Sequence, residues 1–244
     1  MKKLIKTYKN IYSRPNDFDS MDKIRPTAIL DLFQGIATDH ANEIGVGYEA
    51  LKAKNIAWIL AKQKYVLLHD SDMYDIFDAT TYPLPAGRIE YDRCYELKSN
   101  KGMLHILGIS RWCLVDFTTH RITREKAEYN GDCIEESNGL EFDKDLVKMN
   151  DLNEFILKCE YHVNYSDLDH YHHMNNTKYG DVILNAIDKE LRIKELEIIY
   201  SHECVEGDDI LVYTKEEDDI IYVFGLIKSS KLISFKSKLK VERI

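Results

Sequence analysis

What most constrains this chain is that its two ends repeat one another. Shifted by 150 positions, Asp17-Phe18-Asp19 falls on Asp167-Leu168-Asp169, and Asp31-Leu32-Phe33 falls on Asp181-Val182-Ile183. Both pairs flank a segment of helical periodicity, and branched and aromatic runs follow each one. A repeat of this order in 244 residues predicts two copies of one module rather than a single large domain. One helix followed by antiparallel strands, twice over, is an α+β layout. We expect each half to be a sheet wrapped around its helix, the halves spanning 1–125 and 155–244.

The first helix opens near Arg25-Pro26-Thr27, where proline is tolerated because its missing N–H has no partner in a first turn. Ile29, Leu32, Phe33, Ile36, Ala37, Ala41 and Ile44 recur at steps of three and four, one apolar stripe that Gly45 ends. The second helix follows Asn175-Asn176, with Tyr179, Val182, Ile183, Ala186 and Ile187 on one face. An Asn at that point can accept a bond from a free backbone N–H. Strands are expected over Tyr65–Leu68, Met103–Leu114, Glu195–Tyr200, Ile210–Tyr213 and Ile220–Ile227. A last strand sets Ile233, Phe235, Leu239 and Val241 against Lys236, Lys238 and Lys240, the lysines reading as its solvated face. The acidic, turn-forming stretch 126–154, with Asn130-Gly131-Asp132 and Glu135-Glu136-Ser137-Asn138-Gly139, reads as the linker.

Charge and cysteine content narrow the function classes. A net charge of −9 argues against nucleic acid, whose phosphates would be repelled. Apolar windows fall short of the ~18 to 20 residues of a membrane span. The start, Met1-Lys2-Lys3-Leu4-Ile5-Lys6, lacks the apolar run of ~7 to 15 residues of a secretory signal, so a cytoplasmic protein is expected. Cys94, Cys113, Cys133, Cys159 and Cys204 are odd in number and form no C-x-x-C pair, which favours reduced thiols. His162, His170, His172, His173 and His202 lack the spacing of metal ligands, so no metal is expected.

Reactive side chains are densest from Asn164 to Asn176, in the loop before the second helix. That loop carries a carboxylate (Asp169) and an imidazole (His173), groups suited to moving a proton near neutral pH. A helix start adds N–H groups that could steady an oxyanion, with those near Met174 to Asn176 as candidates. The matching loop of the first half keeps Asp19 but has Lys23 where His173 stands, which predicts one active site, in the C-terminal half. A second segment, Tyr200-Ser201-His202-Glu203-Cys204, closes a strand. Strand alternation would put Ser201 and Glu203 on one side and His202 and Cys204 on the other.

Asp167-Leu168-Asp169-x-x-x-His173-Met174-Asn175-Asn176-x-Lys178-Tyr179, followed by Tyr200-x-x-Glu203-Cys204, resembles the plant and bacterial acyl-acyl carrier protein thioesterases. Gln34, Trp58 and Ser110-Arg111-Trp112-x-Leu114-x-Asp116 fit the same family, so the resemblance runs from Tyr12 to the last strand. It implies two tandem hotdog domains, the first forming the acyl-chain pocket and the second catalytic. It also implies no cofactor, and hydrolysis of fatty acyl groups from acyl carrier protein in fatty acid biosynthesis.

By that resemblance Asp169, His173, Glu203 and Cys204 are the catalytic candidates. Whether Glu203 or Asp169 activates water, or Asp169 or Cys204 attacks directly, stays open. Tyr171, Asn175, Asn176, Trp58 and Trp112 are the candidate substrate-binding residues. Tyr171 departs from the family, which has an Asn two residues before the histidine. An acyl-CoA thioesterase of the same fold and a non-catalytic acyl or carrier-protein binding module are the alternatives. A monomer suffices for such a chain, and a homodimer is compatible with it.

Overall fold

The computed structural model describes residues 2–146 and 153–243. Ten strands form one antiparallel sheet: β1 (Lys6–Tyr12), β2 (Ile56–Leu67), β3 (Ile76–Pro83), β4 (Glu90–Ser99), β5 (Leu104–Asp116), β6 (Ile156–His162), β7 (Leu191–Tyr200), β8 (Asp209–Glu217), β9 (Ile220–Ile227) and β10 (Ile233–Arg243). Their spatial order is β1-β3-β4-β5-β2-β7-β10-β9-β8-β6. Read inward from either edge, the two halves have the same order, with β6 to β10 standing for β1 to β5. β1 and β6 begin 150 residues apart, the interval of the sequence repeat. The seam is the pair β2–β7, running from Lys62 opposite Ile199 to Val66 opposite Glu195.

Helix α1 (Pro26–Glu43) begins on its proline and buries Ile29, Leu30, Phe33, Ile36, Ala37 and Ala41. Leu32, expected on the stripe, is only half-buried. Phe33 lies flat on Tyr95, ring centroids 4.3 Å apart. A Cβ on Gly108 of β5 would come within 2.1 Å of the Phe33 ring, so the bare backbone there lets the helix settle onto the sheet. A short helix, α2 (Tyr48–Lys52), follows. In the second half, a one-turn 3-10 helix (Asn176–Lys178) leads into α3 (Tyr179–Asn185), which stops short of Ile187. The helices meet at their starts. Arg25 pairs with Asp181 at 2.9 Å, and Gly180 brings its backbone against Thr27. One apolar core then joins α1 and α3 to both halves of the sheet, each buried Leu, Ile or Phe contributing about 1.5–3 kcal/mol.

The segment after β5 is packed, not loose. Asn130 N donates to Ile44 O, and Ala127 N donates to the Tyr91 hydroxyl. Asn138 caps the carbonyls of Tyr95 and Gly108, and both carboxylate oxygens of buried Glu197 accept from Asp143 N at 3.0 Å. Asp143 also pairs with Lys238 at 2.6 Å. The lysine face of β10 is therefore partly covered by this segment instead of being simply solvated. Residues 147–152 of the expected linker lie outside the described residues.

Candidate active site

The loop that carries the expected chemistry is built the same way in both halves, bond for bond. Asp169 N donates to His173 O at 2.8 Å, and His172 N donates to Asp169 O at 3.0 Å. Asp169 Oδ1 accepts from Tyr171 N at 2.8 Å and from His173 N at 3.4 Å. In the first half, Asp19 N donates to Lys23 O, and Asp19 Oδ1 accepts from Met21 N and Lys23 N. The fourth residue of each turn is left-handed, His172 at φ 64° and Asp22 at φ 55°. An aspartate whose oxygen collects backbone N–H groups is a turn-former. Both halves keep that aspartate; they differ in what the turn presents next, an imidazole or an ammonium.

The second segment is tied to this loop through the main chain, Met174 N donating to Cys204 O at 2.8 Å. Strand alternation fails before it. Ser201 N and His202 N both donate to Ser234 O, a bulge that leaves Ser201, His202 and Glu203 all exposed while Cys204 turns inward. Glu203 thereby reaches His173, with Nε2 3.3 Å from Oε2 and both side chains partly open to solvent. Cys204 is fully buried, and burial pushes its thiol above the ordinary cysteine range. Two of the backbone donors expected from Met174 to Asn176 are engaged within the protein. Besides Met174 N, Asn175 N donates to Asp167 O, and Asn175 Oδ1 caps Thr177 N. Of the candidate groups in this loop, the His173 imidazole is the one in contact with the Glu203 carboxylate.

Tyr171 is half-buried in an aromatic collar. Its ring lies 3.8 Å from His170, 5.8 Å from Phe117 and 6.1 Å from Tyr48, and burial pushes its hydroxyl up to about 12. Tyr48 and Phe117 belong to the N-terminal half, so that half forms one wall of the loop. Neither was singled out in the sequence, although Phe117 directly follows the Trp112-x-Leu114-x-Asp116 motif. Asn176 O accepts from the Tyr200 hydroxyl. Trp58 donates to Val46 O and Trp112 to Ser110 Oγ, both packed on a core cluster of the N-terminal half. Among the described residues, no group of three or more His, Cys, Asp and Glu is placed to hold a metal ion.

The counterpart site in the first half is closed. Leu68 N and His69 N donate to His105 O, the same bulge as at Ser201-His202, so Asp70 and Ser71 stand where Glu203 and Cys204 stand. Asp70 is held by Arg192 and Lys194. The Lys23 ammonium is buried; it donates to the carbonyls of Lys189 and Leu191 and lies 3.4 Å from Asp19 Oδ2.

Solved structures share this architecture along the whole chain. An acyl-ACP thioesterase from Bacteroides thetaiotaomicron superposes with a TM-score of 0.81 at 21% identity, covering 98% of each chain. The 12:0-ACP thioesterase from Umbellularia californica superposes with a TM-score of 0.78 at 12% identity, covering 100% of this chain and 99% of that one. No curated protein sequence matches the chain at a significant level. With its paired sheet units, the molecule is an α+β protein of the double-hotdog class. The acyl-ACP thioesterase N-terminal domain model matches residues 5–131 and the C-terminal domain model matches residues 150–241. The chain belongs to the acyl-ACP thioesterase family, and its chemistry is thioester hydrolysis.

Proposed function

We propose that the chain releases fatty acid from acyl carrier protein with Glu203 as general base and His173 as its partner. The observation that carries this assignment is the contact between His173 Nε2 and Glu203 Oε2, formed in the one half whose turn presents an imidazole. Water held by the Glu203 carboxylate loses a proton to it and attacks the thioester carbonyl carbon. His173 donates toward the oxygen on which charge develops. The carbon–sulfur bond then breaks, the thiolate of the carrier takes the proton from Glu203, and free fatty acid leaves.

Asp169 acts as a positioning residue that sets the turn presenting His173, as Asp19 does for Lys23. Tyr171, with Tyr48 and Phe117, rims the entrance. Trp58 and Trp112 wall the acyl pocket of the N-terminal half.

The assignment is tested by fatty acid release from a panel of acyl carrier protein substrates, with acyl-CoAs alongside. Glu203→Ala is expected to lower kcat by about 100-fold or more while the circular dichroism spectrum is unchanged. A folded variant with near-normal kcat would remove Glu203 as the base.

A further inference from the structure

The proposed reaction needs an acidic carrier protein to dock on a chain that is itself acidic, with a net charge of −9. The basic side chains divide into those already paired and those left free of ion pairs. Lys64 is paired with Glu195 and Glu197, Lys238 with Asp143, and Lys240 with Asp219, so the strand lysines are engaged within the molecule. The run after β5 differs. Among the described residues Arg121, Arg124 and Lys126 are exposed and form no ion pair.

That run is ordered. Asp116 caps Thr118 N and Thr119 N, Ile122 bridges Val115, Thr123 N donates to Leu114 O, and buried Ala127 anchors the far end on Tyr91. Arg124 and Lys126, with Lys54, Thr123, Glu125 and Glu128, line an open depression of about 440 Å³. Lys54 meets Glu128 there only at 3.8 Å, with both side chains exposed. The same two segments supply the N-terminal wall of the catalytic loop. Phe117, whose N–H donates to Asn55 O, touches Tyr171, and Tyr48, under the Lys52 ammonium, touches His170 and Tyr171.

We propose that the ledge formed by Arg121, Arg124 and Lys126 is the docking surface for the acidic face of the acyl carrier protein. A carrier seated there stands beside the aromatic entrance, so that its thioester arm enters past Tyr48 and Phe117 to His173. The surface rests on the functional reading above; attraction of this kind acts on encounter and binding and leaves the chemical step alone.

The experiment compares the wild type with Arg124→Glu/Lys126→Glu on three substrates: acyl carrier protein, acyl-CoA, and an acyl thioester of N-acetylcysteamine, which lacks any carrier. The double variant is expected to raise KM for acyl carrier protein about tenfold with kcat unchanged, and to flatten the fall of kcat/KM with salt. The carrier-free thioester is expected to react as in the wild type. Reversal of Lys228 on the far β9–β10 turn serves as control and is expected to change nothing. Unchanged KM for acyl carrier protein in a wild-type-active enzyme overturns the docking surface alone. An equal rise in KM for acyl-CoA overturns it too, because the ledge would then read phosphate. A wild type inactive on all three substrates overturns the functional reading itself.

Discussion

Asp169 and Glu203 are both carboxylates beside His173, and they differ in what their oxygens already do. Asp169 Oδ1 serves backbone donors in a turn that the half without the imidazole reproduces. Glu203 meets the imidazole and keeps half its side-chain surface open, which suits the role of base proposed for it. Cys204 is the reverse case, next in sequence but packed away with its thiol disfavoured as thiolate. Cys204→Ala is therefore expected to keep kcat within about threefold and to cost about 1 kcal/mol of stability through the lost burial. Steady-state kinetics and urea unfolding check this; loss of turnover with intact folding would reinstate a cysteine nucleophile. At this scale the sequence was informative about residue types and only in part about facing. Alternation set Glu203 opposite Cys204, as observed, but put His202 with Cys204; the bulge at Ser201-His202 turns His202 outward, and a one-residue irregularity leaves no mark in a period-two pattern.

At the level of elements, what was legible followed apolar content. The stripe of α1 and the strand Ile220–Ile227 were read with nearly their observed bounds. β1 and β6 were missed because each is an edge strand of alternating exposed residues with little to bury. β4 was missed because Asp92, Arg93 and Glu96 break its apolar pattern; Arg93 finds its partner only in the fold, at His40. The short α3 was overextended, since Ala186 and Ile187 continue the pattern past the last helical residue. Its first turn matters more than its length. A Cβ on Gly180 would stand 2.7 Å from Thr27 N, so Gly180→Ala must part the two helices where Arg25 meets Asp181. The expected cost is about 1–3 kcal/mol by chemical denaturation. A rise in KM is expected with it, because α3 follows closely on the loop that carries His173.

For the molecule as a whole, the duplication was visible in two tripeptide matches, whereas the joining of the halves was not. No local pattern says that β2 will pair with β7 or that the connecting segment will lie across the sheet. Such placement also creates a stability switch far from the reaction. His40 is buried against Arg93, whose guanidinium lies 3.0 Å from Nδ1, and burial followed by that charge lowers its pKa from 6.5 to about 4. The folded protein thus holds His40 neutral where the unfolded chain would take up a proton. Stability is full above pH 6.5 and is lost as pH falls toward 4, by about 2 kcal/mol between pH 7 and pH 5. Urea midpoints at those two pH values should show that loss in the wild type and a smaller one in His40→Gln, whose amide oxygen can still accept from Arg93.

The buried Lys23 ammonium, bound to main-chain carbonyls of the opposite half, has a consequence for ancestry. In an assembly of two identical subunits, a change from imidazole to ammonium would strike both loops at once and, under the mechanism proposed above, end the reaction. Once a single polypeptide carries both copies, inheritance becomes independent for each. One loop can then serve as a fastener to the opposite half while its twin keeps the imidazole.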